Sequence, residues 1–532
     1  MGSRDPVNAL QELHYALETM QDNYFELWAG LWPAAIDWTA AVLGTHMSAS
    51  LYSLTNSFDY ILPPPSVGER SLYGERVENE INKYFTQTIA SYFGQNDFEL
   101  RFQGYDDMLW VVLGWLESLR FIKFHSTSHY DPGEGGTPWY GQQFEPAFNH
   151  RARIFYELSE TGWDTELCGG GMKWANTFPP YKNAITNELF VAASVGMYLY
   201  FTGDKNPSPL MNPANRSESA SADAITSGPY DPKFRDAAIT AYDWLKNSKM
   251  TNAAGLYTDG FHIRDYGKDG TIGTGKCDER NEMVYTYNQG VILSGLRGLW
   301  EATGNVTYLE DGHHLVRNVM KATGWTGPTS SGLSSHSDEP SRPGSDSNQQ
   351  YLNPDPDTSS TLPPWHGLGR AGILEEACDA SGTCSQDGQT FKSIFFHHLT
   401  LFCAPLPLTA VAPGKTAAAD PEVRSLHRQS CMAYAAWVAR NARAALATRR
   451  DGKFGMWWGA KWTSEERRIP DGTMDLRNEG EQTRGSADGS MAGRLDWDVN
   501  DRGRGRTVET QGGGVAVLRS MWEFIRMFKD SE

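Results

Sequence analysis

What the chain has little of narrows its class first. Of 532 residues only six are cysteine, and none is spaced Cys-x-x-Cys, which argues against the common zinc clusters. Cations are in deficit: 47 Lys and Arg stand against 65 Asp and Glu, a formal net charge of −18 that would repel nucleic acid. No apolar run approaches the ~18 residues that suggest a membrane span. No signal-peptide pattern follows Met1–Pro6, a segment that reads as expression-vector residues. Nor does a Gly/Ser- or Pro-rich spacer separate complete apolar patterns, so residues 7–532 read as a single domain.

What is present is helical periodicity. Leu10, Leu13, Leu17, Met20, Tyr24 and Leu27 step by three and four, the stripe of a core-facing helix. Similar stripes predict helices over 34–52, 75–93, 106–122, 142–160, 182–202, 232–249, 286–303, 307–321, 390–403, 423–448 and 511–528. Several end alike, in Thr-Gly at Gly162, Gly203 and Gly304, where glycine caps a helix without strain. The recurrence points to repeated helical hairpins. Six hairpins closed into a toroid give an all-α (α/α)6 barrel whose loops at one end line a cleft. Segments 204–231, 326–364 and 451–510 are rich in Ser, Pro, Asp, Gly or Arg and read as insertions, the last a hairpin packed by tryptophans. Residues 405–421 read as a Pro/Ala connection.

The sharpest chemical feature is Asp106-Asp107 at the mouth of the apolar run Met108–Trp115. Like charges half-shielded from water push one proton affinity up while the other acid stays ionised. One donor and one anion at the same pH is what a retaining glycosidase needs. The pair would titrate as a coupled unit. The plainer reading is an N-cap and a first-turn acid serving the helix dipole, worth only ~0.3–1 kcal/mol.

Other segments offer groups suited to a hydroxyl-rich ligand. Gly169-Gly-Gly171 would let a ligand approach the backbone, and Trp174 would give a sugar a stacking face; a plain glycine turn is the alternative. Asn183 and Asn187 fall one turn apart on a helix face. Tyr287, Asn288 and Gln289 open another helix, Asp259 stands in a loop, and Lys392 lies near a further helix start. Each also has an ordinary reading as a cap or turn.

In order, Tyr-Asp-Asp-Met-Leu-Trp110, Cys-Gly-Gly-Gly-Met-Lys-Trp174, Lys-Asn-Ala-Ile-Thr-Asn-Glu188, Tyr-Thr-Asp-Gly260, Thr-Tyr-Asn-Gln-Gly290 and Phe-Lys-Ser-Ile-Phe395 resemble glycoside hydrolase family 76. The resemblance implies an (α/α)6 barrel and a retaining, endo-acting hydrolase of α-1,6-linked mannan of the fungal cell-wall type. It implies Asp106 as nucleophile and Asp107 as general acid/base. Trp174, Asn183, Asn187, Asp259, Tyr287, Asn288, Gln289 and Lys392 become substrate-binding candidates. Thr258, inserted before Asp259, departs from the tighter Tyr-Asp-Gly pattern.

Three rivals remain. A transglycosidase acting on mannan or a related anchor glycan would use the same pocket, with a sugar acceptor replacing water. A non-catalytic mannan-binding protein would use the acids as hydrogen-bond acceptors, although binding alone gains little from a repelling pair. A terpene cyclase would need a third acid for Mg²⁺, but position 110 is Trp. No cofactor and no metal are expected. His313-His314 and His397-His398 lack the i, i+4 spacing of zinc ligands, and Asp496–Asp501 lacks the glycine and glutamate of a calcium loop.

Six cysteines allow fifteen pairings, with Cys378 and Cys384 the best local pair. Sequons at Asn215 and Asn305 agree with an oxidising compartment. The expectation is a secreted or cell-wall-associated monomer whose partner is α-mannan or a mannose oligosaccharide.

Overall fold

The computed structural model describes residues 7–58, 72–130, 138–205, 228–327, 362–462, 498–501 and 503–528. The bulk of the three expected insertions, the sequon at Asn215, and Asp496 with Trp497 lie outside the described residues. Twelve helices of 13 residues or more are found among the described residues. They are α1 (Ala9–Tyr24), α2 (Asp37–Thr55), α3 (Leu72–Gly94), α4 (Tyr105–His129), α5 (Glu145–Glu160) and α6 (Ala184–Tyr200). Then follow α7 (Pro232–Asn247), α8 (Val291–Thr303), α9 (Thr307–Ala322), α10 (Gln386–Phe402), α11 (Pro421–Ala447) and α12 (Val508–Phe528).

The even-numbered helices form a closed inner ring. Each packs on the next, from α2 through α12, and α12 packs back on α2. The odd-numbered helices lie outside: α3 covers α2, α5 covers α4, α7 covers α6, α9 covers α8, and α1 and α11 both lie on α12. Composition explains the sorting. In α6, Ala-Ile-Thr-Asn-Glu-Leu-Phe-Val-Ala-Ala-Ser-Val-Gly-Met-Tyr-Leu, every residue before Tyr200 is buried, so this helix can only be internal. By contrast, α7 and α9 bury one stripe (Phe234, Ala238, Ala241, Leu245; Leu309, Leu315, Val316, Val319) and turn charges outward. The (α/α)6 expectation is met.

Because an outer helix returns the chain between successive inner ones, all six inner helices begin at the same end of the ring. The few strands lie on this end. A three-stranded antiparallel sheet of β1 (Tyr181–Asn183), β2 (Gly260–Ile263) and β3 (Cys277–Asn281) leads into α6 and α8. A hairpin of β4 (Gly369–Arg370) and β5 (Ile373–Leu374) precedes α10. All six cysteines are paired, as Cys168–Cys277, Cys378–Cys384 and Cys403–Cys431. Several predicted boundaries moved: the helix expected over 106–122 runs on to His129, and those expected over 34–52 and 390–403 begin at Asp37 and Gln386. Residues 287–289 form a 3-10 turn before α8, and α1 stops at Tyr24, where Glu26 bridges to Leu31.

Candidate active site

Asp106 and Asp107 occupy the second and third positions of α4, on the end of the ring where the inner helices start. The Asp107 Oδ2 accepts from the Gly104 backbone N–H at 2.9 Å, and the Asp106 Oδ1 accepts from the Asp107 N–H at 3.1 Å. Gly104 is required here. A Cβ on it would overlap Asp106 Oδ1 and come within 3.1 Å of Asp107 Oδ2 and 3.3 Å of the Trp174 indole nitrogen. Both carboxyls keep some solvent access although protein crowds them on almost all sides.

That crowding sets their electrostatics. Burial, followed by the charge of Asp107, drives Asp106 well above the usual carboxylate range, against backbone N–H groups and the Trp174 side chain. Burial also raises Asp107, to about 6, opposed by the Gly104 N–H and reinforced by Asp387 and Asp37. Two adjacent acids of raised proton affinity hold one shared proton near neutral pH. The sequence reading put that proton on Asp107, whereas in the protein alone the larger upward push falls on Asp106.

Aromatic rings wall the pair. Trp38 stacks on Trp110 with centroids 5.8 Å apart and lies 6.4 Å from Phe391. Tyr287 lies flat on Phe391 at 3.9 Å and feels the charges of Asp259 and Asp106. Trp174 stacks on Phe178 at 5.2 Å, its indole beside Asp106. The Trp174 loop is stitched to the start of α4 by Tyr105 N–H to Trp174 C=O, and to β1 by Trp174 N–H to Tyr181 C=O, both 2.8 Å. Asp259 accepts from Tyr181 Oη at 2.5 Å and Asn281 Nδ2 at 2.9 Å, and burial raises its proton affinity.

Of the residues predicted to meet a ligand, the structure brings Asp106, Asp107, Trp174 and Tyr287 together and sets Asp259 within electrostatic reach of Tyr287. Asn183 and Asn288 are buried at the starts of α6 and α8, with Asn183 Oδ1 and both Asn288 amide atoms lacking a hydrogen-bond partner among the described residues. The other three are engaged in scaffolding. Asn187 spends its amide on both backbone groups of Met172, at 2.8 and 3.2 Å, and on the Asn183 C=O. Gln289 clamps Tyr257 N–H and C=O and the Tyr285 C=O. Lys392 is buried against Asp379 and the Met456 carbonyl.

Two glycines of the run, Gly170 and Gly171, pack against Trp244, while Gly169 has open space beside it. Gly171, at φ +89°, sits where a Cβ would enter the Trp244 ring, and its carbonyl accepts from Lys182 Nζ at 2.6 Å. Asp37, Trp38 and Asp387 were missed by the sequence reading. A usable signal existed: in a six-hairpin ring, an acid at the start of any inner helix points to the same end as Asp106.

The sequence model of glycosyl hydrolase family 76 matches residues 229–351. Curated relatives agree. The mannan endo-1,6-α-mannosidase DFG5 of Saccharomyces cerevisiae is 23% identical over 285 residues, 52% of this chain and 43% of that protein. DCW1 of Candida glabrata, which carries the same enzyme name, is 22% identical over 328 residues, 60% and 50% of the two chains. Over residues 229–351 the chain is similar to glycosyl hydrolase family 76.

The chain spans about half the length of those relatives. Solved structures share its fold. An inactive double-aspartate variant of the α-1,6-mannanase GH76A of Salegentibacter sp. HEL1_6, bound to α-1,6-mannotriose, superposes with a TM-score of 0.53 at 15% identity, covering 97% and 100% of the chains. Dfg5 from Chaetomium thermophilum, in complex with glucosamine, gives 0.54 at 11% identity over 98% and 92%. The family match runs from α7 through α9 and lies wholly outside the Asp106–Asp107 segment.

Proposed function

We propose that this protein is a retaining, endo-acting glycoside hydrolase that cleaves α-1,6-mannosidic bonds in mannan. The observation that carries the reading is the pair itself: two adjacent, crowded carboxyls at the start of α4, both raised by burial, at an aromatic-walled rim. Mannan is supported as substrate by the enzyme name of the curated relatives and by the mannotriose in a structural neighbour.

In the proposed cycle a mannosyl residue lies against the rings with its anomeric carbon facing Asp106. Asp107 gives its proton to the departing glycosidic oxygen while an Asp106 oxygen bonds to the anomeric carbon. Water then attacks that carbon and gives its proton to Asp107; the Asp106–sugar bond breaks, and net retention results. This requires the shared proton on Asp107 at the first step. Positive charge growing on the sugar beside Asp106 favours the ionised form there, moving the proton to its neighbour. The Asp107 N–H and the Trp174 side chain already favour a charged Asp106.

Three disulfides support an oxidising compartment, and hence a secreted or wall-associated enzyme. The test is a pair of isosteric variants on two substrates. Asp106→Asn is expected to abolish cleavage of both linear α-1,6-mannan and an aryl mannoside with a good leaving group. Asp107→Asn is expected to lose mannan cleavage but keep first-step release of the aryl group, which needs no proton. The opposite pattern would exchange the two roles, and near wild-type mannan cleavage by both would reject the function.

A further inference from the structure

The two acids at the starts of α2 and α10 have no part in the cycle above, yet both bear on Asp107. Asp37 is the first residue of α2 and Asp387 the second of α10. Each accepts from a neutral donor: Asp37 Oδ2 from Gln103 Nε2 at 3.0 Å, Asp387 Oδ1 from the Trp38 indole at 3.0 Å, and Asp387 Oδ2 from Ser385 Oγ at 3.2 Å. Neither has an ion pair among the described residues. Both are connected to the catalytic segment. Gln103 immediately precedes Gly104, whose N–H holds Asp107, and Trp38 stacks on Trp110, three residues beyond Asp107.

We infer that Asp37 and Asp387 are positioning residues that act through charge on Asp107, keeping on it the proton it delivers to the leaving oxygen. The inference rests on the proposed role of Asp107. Its physical basis is simple: an anion near a carboxyl disfavours a second negative charge there. The charges that bear on Asp107 from other helices are Asp37 of α2 and Asp387 of α10, and both push it up, while Asp106 on its own helix is the coupled partner that Asp107 raises. Trp174 and Tyr287, on the other sides, are neutral. The ordinary explanation of both acids is complementing a helix dipole. That role predicts a change in stability, not in the proton affinity of a residue on another helix.

The experiment is a pH profile of kcat/KM on a linear α-1,6-mannotetraose with Asp37→Asn, Asp387→Asn and the double variant. Asparagine keeps the oxygen that accepts from Gln103 or Trp38 and removes the charge. The alkaline limb is expected to move to lower pH by about half a unit in each single variant and further in the double one. High salt should shrink the wild-type to variant difference, because both acids are partly exposed. Asp387→Glu, which keeps the charge, should leave the limb in place, and melting temperatures should stay close to wild type. Direct titration of the Asp107 carboxyl by carbon NMR, without substrate, should show the same downward shift. An unmoved limb and an unmoved Asp107 titration in the double variant would overturn the inference while leaving the proposed function standing. Full mannan cleavage by Asp106→Asn would instead remove the reading beneath it.

Discussion

At Gly104 a hydrogen stands where any other side chain would meet both carboxyls. Its N–H orients Asp107, and its lack of a Cβ lets Asp106 fold back beside the Trp174 indole. Gly104→Ala should therefore cost kcat about a hundredfold, since displacements near 1 Å at reacting groups have such effects. Circular dichroism should show the helices intact; an active Gly104→Ala enzyme would contradict the described packing. Glu188 is a different case. It is fully buried on α6, no described side chain pairs with its carboxyl, and burial raises it well above the usual range against the opposing Ile292 N–H. In the fold it holds its proton at pH values where the unfolded chain has released it. Stability thus falls as pH rises above the ordinary glutamate range, by about 1.4 kcal/mol per pH unit until the folded group ionises. Glu188→Gln should erase this slope: its melting temperature should match wild type near pH 4 and exceed it increasingly toward pH 8. Single residues were unevenly legible in the sequence. Asp106 and Asp107 declared themselves because two acids entering an apolar run are costly. Asn187, Gln289 and Lys392 looked equally suited to a ligand, and only their partners, the Met172 and Tyr257 backbones and Asp379, reveal how they are used.

Among elements, the loop from Trp163 to Trp174 depends most on distant contacts. It is held by the Cys168–Cys277 disulfide to β3, by Trp244 of α7 against Gly171, by Asn187 of α6, and by Lys182. The bond spans 109 residues of sequence, so its loss should lower stability by about 2–4 kcal/mol. Cys168→Ser with Cys277→Ser should also raise KM more than it lowers kcat, because the loop carries the Trp174 face and not the carboxyls. Unchanged KM and melting temperature would show the loop to be held without it. Helices were read well because their apolar spacing survives in every one; the strands were not. Cys277–Asn281, Cys-Asp-Glu-Arg-Asn, has no alternating apolar face, and its pairing is visible only once β2 lies beside it. The 3-10 turn at Tyr287–Gln289 was likewise absorbed into the helix it precedes.

For the whole molecule the ring is the determining object. Six inner helices that start at one end bring Asp37, Asp106, Asp107 and Asp387 to one rim from segments 350 residues apart along the chain, in round terms about the reach of an entire domain. The ring closes through α12 on α2 and α10. Deleting Val508 onward should therefore abolish the cooperative calorimetric transition, not merely lower it, since the inner faces of α2, α10 and both covering helices α1 and α11 would lose their partner. A truncated chain that still melts cooperatively would refute closure as the source of stability. The fold class was legible from twelve helical stripes and recurrent glycine caps, but the inner and outer assignment was not stated by them; it follows from which helices are buried on all sides. The account as a whole turns on double displacement at the aspartate pair. Proton NMR of the first sugar released from a linear α-1,6-mannan oligosaccharide, recorded before mutarotation, decides it: the α anomer is predicted, and a β anomer formed first would contradict it.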